Sequence, residues 1–249
     1  MSRLVRAELL KQRTTRTSLA LLLSMVGLIL LLIVLHVASL SADHVSSLDG
    51  QLKVVGWGTS IGALFAGLLG AMSITAEIRH GTIRPTFLAT PKRERVVTAK
   101  LVATALMGIG VGLLAEGLVA GIEAAGLAIR GLHIQLSAGD YLQLLGGGAA
   151  AAGFFGAIGL GVGALVRQQV GAVVGLTIWL LLIETTLIGN VPSAGKFALG
   201  AAAGAIAGAI QTQSSADLVA PGIGVLLLVA YAVIASFGGT ILTNRRDVA

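Results

Sequence analysis

The sequence predicts an all-α membrane protein with six transmembrane helices, and three observations lead to that fold class. Hydrophobic residues make up 55% of the 249 residues and charged residues only 11%, whereas a soluble domain is usually about 25% charged. The apolar residues gather in long stretches rather than in short runs. The chain also has 35 glycines, which suit helices whose backbones approach each other closely in lipid. A transmembrane barrel would instead alternate every second residue and carry aromatic girdles.

Six segments are long enough to cross a bilayer, which takes about 20 apolar residues in a helix. They cover residues 18–38, 54–76, 101–125, 141–166, 170–188 and 221–242 of a single transmembrane domain, residues 1–249. These segments are the elements that the fold is expected to contain.

Residues 189–220, between the fifth and sixth segments, contain the stretch "GKFALGAAAGAIAGAIQ" at 195–211. Its apolar part is too short and too weakly hydrophobic to span, so we expect a re-entrant or surface helix on the outer face. Gly200, Gly204 and Gly208 would give this helix a stripe of small residues for packing. The alternative is a loosely ordered outer loop.

The positive charges predict the orientation, because short cytoplasmic loops are enriched in Lys and Arg. With the N-terminus inside, fourteen of the 17 Lys and Arg residues fall on the cytoplasmic side. The outer loops keep only Lys53, Arg130 and Lys196. Both termini are therefore expected to be cytoplasmic.

The first seventeen residues, "MSRLVRAELLKQRTTRT", combine apolar and basic positions. The pattern predicts an amphipathic helix that lies in the interface, with its basic residues facing anionic phospholipid. A simple polybasic topology signal, without an ordered helix, is the alternative.

Several chemistries are missing from the sequence. There are no cysteines, which excludes disulfides and thiol nucleophiles. No G-x-x-x-x-G-K-[ST] stretch occurs, so the chain has no P-loop of its own. The four histidines show no metal-ligand spacing, and no G-x-S-x-G nucleophile elbow is present. We expect no catalytic residues, no metal site and no enzyme activity from this chain alone.

Three acids within the spans are candidates for a translocation path, because an acid in the middle of a membrane helix is costly. Glu116 lies near the middle of the third span, Glu123 is seven residues further on, and Glu184 lies toward the outer end of the fifth. In the functional interpretation they line a polar path. In the structural one they pair with Arg130 or cap helix ends. The structural interpretation is favoured for Glu123 and Glu184, and the functional one for Glu116.

The stretch "EIRHGTIRPTFLATPKRERVVTAK", residues 77–100, holds the largest block of positive charge in the chain. Thr90 and Pro91 read as an N-cap followed by proline at the first helical position, so a helix is expected to start there and run into the third span. Residues 77–83 are expected to form a short helix that Pro85 ends or bends. An ordered basic element of this kind is a candidate docking surface.

These residues resemble a known family, the ABC-2 type permeases, which are the membrane subunits of many bacterial ABC exporters. The likeness rests on Glu77, Gly81, Thr82, Pro91, Arg93 and Lys100 in this order and spacing. The stretch "ELLKQRTTR", residues 8–16, is similar to the connecting or elbow helix of that family. The six-span layout is also similar.

The resemblance implies a role for each patch. The coupling helix of the family inserts into a separate ATPase subunit, and the residues that match this region are Glu77, Gly81, Thr82, Arg84, Pro91, Arg93, Arg95 and Lys100. The elbow-helix positions are Glu8, Lys11, Arg13 and Arg16.

The resemblance also implies partners and a function. They are a dimer of ATPase subunits, which binds ATP and Mg, and a second permease chain, identical or similar to this one; this chain itself binds no cofactor. The implied function is outward transport of a hydrophobic or amphipathic substrate, such as a drug, antibiotic, peptide or lipid, across the bacterial cytoplasmic membrane.

Two other functions fit the sequence. An ion- or proton-coupled carrier would work without an ATPase and use the intramembrane acids. A scaffold or sensor subunit would use the basic stretch to bind anionic lipid or a regulatory protein. Nucleic acid is not an expected partner, because nothing among these charges is arranged for base stacking.

Overall fold

The computed structural model describes residues 1–39, 46–82, 93–209 and 218–245, and at 37–38, 93 and 240–245 it describes the backbone alone. The predicted coupling positions Arg84 and Pro91 therefore lie outside the described residues, as does the side chain of Arg93. The helix start that was predicted at Thr90 and Pro91 lies outside them as well.

All the regular secondary structure in the described residues is helical. It begins with α1 (Ser2–Thr14), α2 (Arg16–Ser39), α3 (Leu48–Arg79), α4 (Arg93–Ile129) and α5 (Ala138–Val166). A long composite helix follows, made of α6 (Gln169–Ile178), a π-helical turn (Trp179–Ile183) and α7 (Glu184–Asn190). The last elements are α8 (Pro192–Gly195), α9 (Leu199–Ala207) and α10 (Pro221–Arg245).

Six of these helical stretches are long and apolar enough to cross a membrane. They are Arg16–His36, Leu48–Arg79, Glu94–Ile129, Ala138–Val166, Gln169–Asn190 and Pro221–Gly239. Each coincides with one of the six segments predicted from the sequence, so the prediction of an all-helical fold with six helices long and apolar enough to cross a membrane is confirmed.

The helix boundaries differ from prediction at the second span. The helix α3 begins six residues before the predicted start at 54, because the Ser47 side chain accepts a hydrogen bond from the Gly50 N–H and caps it. At its other end α3 continues to Arg79. The separate short helix expected over residues 77–83 is therefore wrong: Glu77 belongs to the last turn of α3. The chain then leaves the helix through Gly81, whose φ of 69° favours glycine.

The two ends of the bundle can be told apart by contacts between distant residues. At the end we call the amino-terminal end, α1, the end of α3, the start of α4 and the α5–α6 turn meet; Arg79 there donates to the side chain of Gln169 at 3.3 Å. At the opposite end, the side chain of Gln51 bonds the loop between α4 and α5, donating to the His133 carbonyl at 3.0 Å and accepting from the Gln135 N–H at 2.8 Å.

The core of the bundle is the pair α3 and α5. In the most apolar stretch of these two helices, 78% and 72% of the residues are buried, against 17–33% in the other candidate spans. Glycines allow their backbones to touch. A Cβ added to Gly70 would lie 2.9 Å from the Gly156 carbonyl carbon, and one added to Gly159 would lie 2.7 Å from that of Gly67. The close packing that the glycine content predicted is thus observed between the second and fourth spans.

The Ala/Gly stretch forms α9, which is buried from Ala201 to Ala207. It packs against α5, α10 and α3, so the alternative of a loose outer loop is wrong. Gly208 ends the helix in the left-handed conformation, with φ 67°. Just before α9, the Phe197 carbonyl accepts a hydrogen bond from the Tyr231 hydroxyl, three turns into α10, at 3.0 Å. The chain between α7 and α9 therefore turns back beside the bundle.

Candidate functional site

A cluster of four charged side chains ties three helices together at the amino-terminal end. The Lys100 ammonium of α4 lies 2.7 Å from Glu8 Oε2 of α1 and 2.8 Å from Glu77 Oε1 of α3. Lys11 of α1 bonds the same Glu77 oxygen and lies 3.3 Å from Glu8 Oε1. Glu8 and Lys11 can both take part because residues three apart lie on one face of a helix.

The cluster is buried except at Lys11. The exposed fraction is 2% for Lys100, 5% for Glu77 and 7% for Glu8, whereas the Lys11 side chain is 48% exposed. Partial burial by itself lowers the pKa of Lys11, but the hydrogen bond and charge of Glu77, together with Glu8, outweigh it and raise that pKa above its usual value. Two carboxylates and two ammonium groups balance, so the cluster carries no net formal charge.

This cluster unites residues that the sequence analysis had placed in two separate patches. Glu8 and Lys11 were predicted as elbow-helix positions, and Glu77 and Lys100 as coupling positions. The structure buries Glu77 and Lys100, so in this conformation they join helices to each other and do not offer their side chains to a partner.

The other predicted positions in these patches lie outside the cluster. The exposed ones are Arg13, Arg16, Gly81, Thr82 and Arg95.

Glu116 is wedged between two glycines. It is fully buried, and its Oε1 accepts a hydrogen bond from the Thr59 hydroxyl of α3. A Cβ on Gly58 would lie 2.9 Å from its carboxyl carbon, and one on Gly148 would lie 2.8 Å from its Cγ. The carboxyl thus fills a gap between α3, α4 and α5 that the glycines leave open.

Glu123 is also fully buried, but neither of its carboxylate oxygens has a hydrogen-bond partner among the described residues. The pairing with Arg130 that the structural interpretation offered is therefore not formed. Tyr141 of α5 is close enough to interact with it electrostatically. An acid in such surroundings is unusual, because buried polar groups are normally hydrogen-bonded.

Glu184 caps α9. Its Oε1 accepts from the backbone N–H of Gly200 and from that of Ala201, the latter at 3.3 Å. The helix begins at Leu199 and has no cap from its own N-cap residue, so an acid from the fifth span satisfies two of the first-turn donors. This is the helix-capping contact that the structural interpretation offered for Glu184.

A cavity of about 300 Å³ lies between α3, the composite fifth span and α9. Lys53, Trp57 and Ser60 line it from α3, where their spacing puts them on one helix face. Glu184 lines it from the fifth span, immediately after the π-helical turn, a feature often found at functional sites. Glu116 and Glu123 are not among the lining residues, although Thr59, the hydrogen-bond partner of Glu116, is.

Several of these residues escaped the sequence analysis. Gln51 and Lys53 precede the predicted second span, which began at 54, and Trp57 was not singled out as a candidate site residue. Thr59, the partner of Glu116, is 57 residues away from it in the chain. The spacing of Lys53, Trp57 and Ser60, four and then three positions apart, is the signal that could have indicated a functional face.

Within the residues that the structure describes, no group of three or more His, Asp or Glu side chains is placed to hold a metal ion. Comparison with protein-family models gives no match. Comparison with curated proteins gives none either. Fold and site together define the class as a multi-pass membrane protein with six candidate spanning helices, an ion-pair cluster at one end and a polar-walled cavity nearer the other.

Proposed function

We propose that the chain is the permease subunit of an ATP-binding cassette exporter, which moves a hydrophobic or amphipathic substrate outward using ATP hydrolysed by a separate ATPase subunit. The observation that carries this proposal is the buried cluster of Glu8, Lys11, Glu77 and Lys100. It joins α1, α3 and α4 on both sides of the basic connection 80–95, where the sequence resembles the coupling element of ABC-2 permeases.

The cluster supports the proposal because it makes a mechanical connection. A push on the connection between α3 and α4 would act on helices that are locked to each other and to α1. The helix α3 is packed along α5 through glycine contacts, and close-packed interiors transmit displacement instead of absorbing it. Movement at the amino-terminal end would therefore reach the middle of the bundle as a rigid-body shift.

The elements take the following roles in this proposal. The helix α1 is the elbow helix in the headgroup layer, with Arg13 and Arg16 toward anionic lipid. The stretch 77–100 is the coupling region, with Arg95 exposed in the first turn of α4. The helix α9 is a re-entrant helix on the outer face. Backbone that does not span the membrane is tolerated at membrane depth where it is buried in protein.

The proposal also includes location and assembly. The chain lies in the bacterial cytoplasmic membrane with both termini in the cytoplasm. A dimer of ATPase subunits binds ATP and Mg, since the sequence has no P-loop. Two-fold symmetry of that dimer calls for a second permease chain, identical or similar. This chain is a transporter subunit and not an enzyme, while the complex hydrolyses ATP.

The test is purification of the tagged chain from its native membranes, beside an Arg93→Glu/Arg95→Glu variant. Lys196→Glu is the matched control, because it reverses a basic residue between α8 and α9, outside the stretch 77–100. We expect a protein with a Walker motif, identified by mass spectrometry, to co-purify with wild type and with the control, and the purified complex to hydrolyse ATP. The variant should insert normally and lose both the protein and the activity.

An intact, monodisperse wild-type chain that brings no such ATPase would contradict the proposal. A variant that retains the ATPase and transports at the full rate would contradict the docking role of 80–95 alone.

An ion-coupled carrier is the second candidate, and the buried acids favour it. Glu116, Glu123 and Glu184 each have at least one carboxylate oxygen without a hydrogen-bond partner among the described residues. For a carrier we expect uptake into proteoliposomes to follow an imposed proton gradient without ATP, and Glu116→Gln to abolish the dependence. Transport that requires ATP and ignores the gradient would exclude it.

A further inference from the structure

We infer that the cavity between α3, the fifth span and α9 is a binding site for a small zwitterion, a ligand that carries one ammonium group and one acidic group beside an apolar portion. This inference does not depend on the proposed export function, because the site lies within one chain and its occupation needs no ATP.

The acidic side of the site is Glu184. Only 3% of the surface of Glu184 is exposed, and the residue lines the cavity. Its Oε1 is engaged by α9, but its Oε2 has no hydrogen-bond partner among the described residues. A buried carboxylate oxygen without a partner is costly, and the ammonium group of a ligand in the cavity would remove that cost.

The donor side of the site is Lys53 with Trp57. Lys53 lines the cavity from the second turn of α3 and forms no ion pair with any residue in the described part of the chain. The Trp57 indole N–H, one turn further along, is buried and likewise has no hydrogen-bond partner there. An ammonium and an indole N–H are both donors, so they suit the acidic group of the same ligand.

The balance of charge selects a zwitterion over a simple cation or anion. Glu184 and Lys53 are the two charged residues among the described ones that line the cavity, so its formal charges cancel. A ligand with a single charge would leave one of the two uncompensated in surroundings of low dielectric, which is unfavourable. A ligand with both charges compensates each of them.

The remaining walls and the volume define the rest of the ligand. Leu64, Phe155, Leu180 and Ile188 supply apolar surface. The volume of about 300 Å³ is at the lower end of the range for small-molecule sites. It suits an amino acid or short peptide with an apolar side chain, or the headgroup of an aminophospholipid that enters from the side, where Ser60, Leu181 and Thr185 are exposed.

The experiment uses the full chain in nanodiscs of phosphatidylglycerol, a lipid without an ammonium group. The chain has two tryptophans, so Trp179→Phe leaves Trp57, in the cavity wall, as the only tryptophan of the chain, and its fluorescence reports on binding. Glycyl-L-leucine is the soluble probe. Its N-acetyl derivative lacks the ammonium group and its C-terminal amide lacks the carboxylate. Native mass spectrometry of retained phosphatidylethanolamine against phosphatidylglycerol tests the lipid source.

We expect saturable binding of one zwitterion, at least tenfold tighter than either blocked derivative or than phosphatidylglycerol. Glu184→Gln should weaken binding at least tenfold and abolish the discrimination against the acetylated probe. Lys53→Gln should do the same for the amidated probe. Glu184→Gln keeps a carbonyl oxygen that can accept the Gly200 N–H, so α9 stays capped; Glu123→Gln, a buried acid outside the cavity, should leave binding unchanged.

The two sources give different results. Binding of the dipeptide without retention of phosphatidylethanolamine identifies a soluble zwitterion, and selective retention of that lipid identifies its headgroup. The inference is overturned if neither probe binds saturably. It is also overturned if Glu184→Gln leaves binding unchanged while the variant unfolds at the wild-type temperature. The exporter proposal can fail without affecting this result, since no ATPase is present.

Discussion

Lys100 and Glu77 form a buried ion pair, with 2.8 Å between the ammonium nitrogen and the carboxylate oxygen. The two residues lie on either side of the connection between α3 and α4, and Glu8 of α1 completes the contact to Lys100 from a third helix. Loss of one partner from a buried pair is far more costly than the pair itself is worth, because it leaves an uncompensated charge. The first prediction rests on this asymmetry.

Lys100→Met is expected to lower the free energy of unfolding by about 3–5 kcal/mol, since Glu8 and Glu77 would keep their charges with only Lys11 between them. Unfolding in mixed micelles measures the change. The double variant Lys100→Met/Glu77→Leu removes both partners and should recover part of the loss. A single variant within about 0.5 kcal/mol of wild type, the usual spread for surface substitutions, would argue against a structural role for the cluster.

Gly70→Ala is expected to cost about 1–3 kcal/mol, because the added methyl group meets the backbone of Gly156 and forces α3 and α5 apart. Gly110→Ala is the matched control: it is also in a long helix, but a Cβ there has nothing within 4 Å. The control should gain up to about 1 kcal/mol from helix propensity. Equal effects of the two substitutions would contradict the close α3–α5 contact.

Glu123→Leu and Glu116→Leu should change stability in opposite directions. Glu123 has no hydrogen-bond partner among the described residues, so its replacement by an apolar side chain is expected to raise the free energy of unfolding by about 1 kcal/mol. Glu116→Leu should lower it by about 1–3 kcal/mol, because the buried Thr59 hydroxyl loses its acceptor. The free energies of unfolding of both variants, measured under one condition, test this prediction. A lower free energy of unfolding for Glu123→Leu would contradict the absence of a hydrogen-bond partner for Glu123 among the described residues.

The ion-pair cluster should lose stability at high pH. The folded protein raises the pKa of Lys11 above its usual value of 10.5, so the contribution of Lys11 to stability is complete below that pH and is lost as the pH rises through the higher folded value. The unfolding midpoint should therefore fall more steeply above about pH 10.5 in wild type than in Lys11→Gln. Lys11→Arg, which keeps its charge at these pH values, should also show the shallower fall; identical profiles for all three would contradict the raised pKa.

The number, order and approximate limits of the spanning helices could be predicted from the sequence, since hydropathy is a property of each segment by itself. The same reasoning missed the start of α3, because polar Gln51 and Lys53 looked like loop residues, although Ser47 caps a helix that contains both. The last turn of α3 was missed for a similar reason: a basic stretch suggested a surface element, but Glu77 faces inward, toward Lys100.

The candidate sites depended more strongly on tertiary structure. Glu184 was identified from its sequence position alone, yet its contact with the N-terminus of α9 follows from where the chain turns back after the fifth span. Lys53 and Trp57 became part of a site only because α3 lies opposite that span across a cavity. The spacing of residues along the sequence does not predict where two helices leave a cavity between them.

The sequence by itself determined that this chain has six helices long and apolar enough to cross a membrane, and which residues carry charge within them. Only the tertiary structure decided which of those charges meet. Lys100 and Glu8 are 92 residues apart and form a buried pair, whereas Glu123, in the same helix as Lys100, has no hydrogen-bond partner among the described residues. Hydropathy and charge are fixed along the chain, but a buried ion pair depends on which helices become neighbours and how they are rotated, and packing sets both.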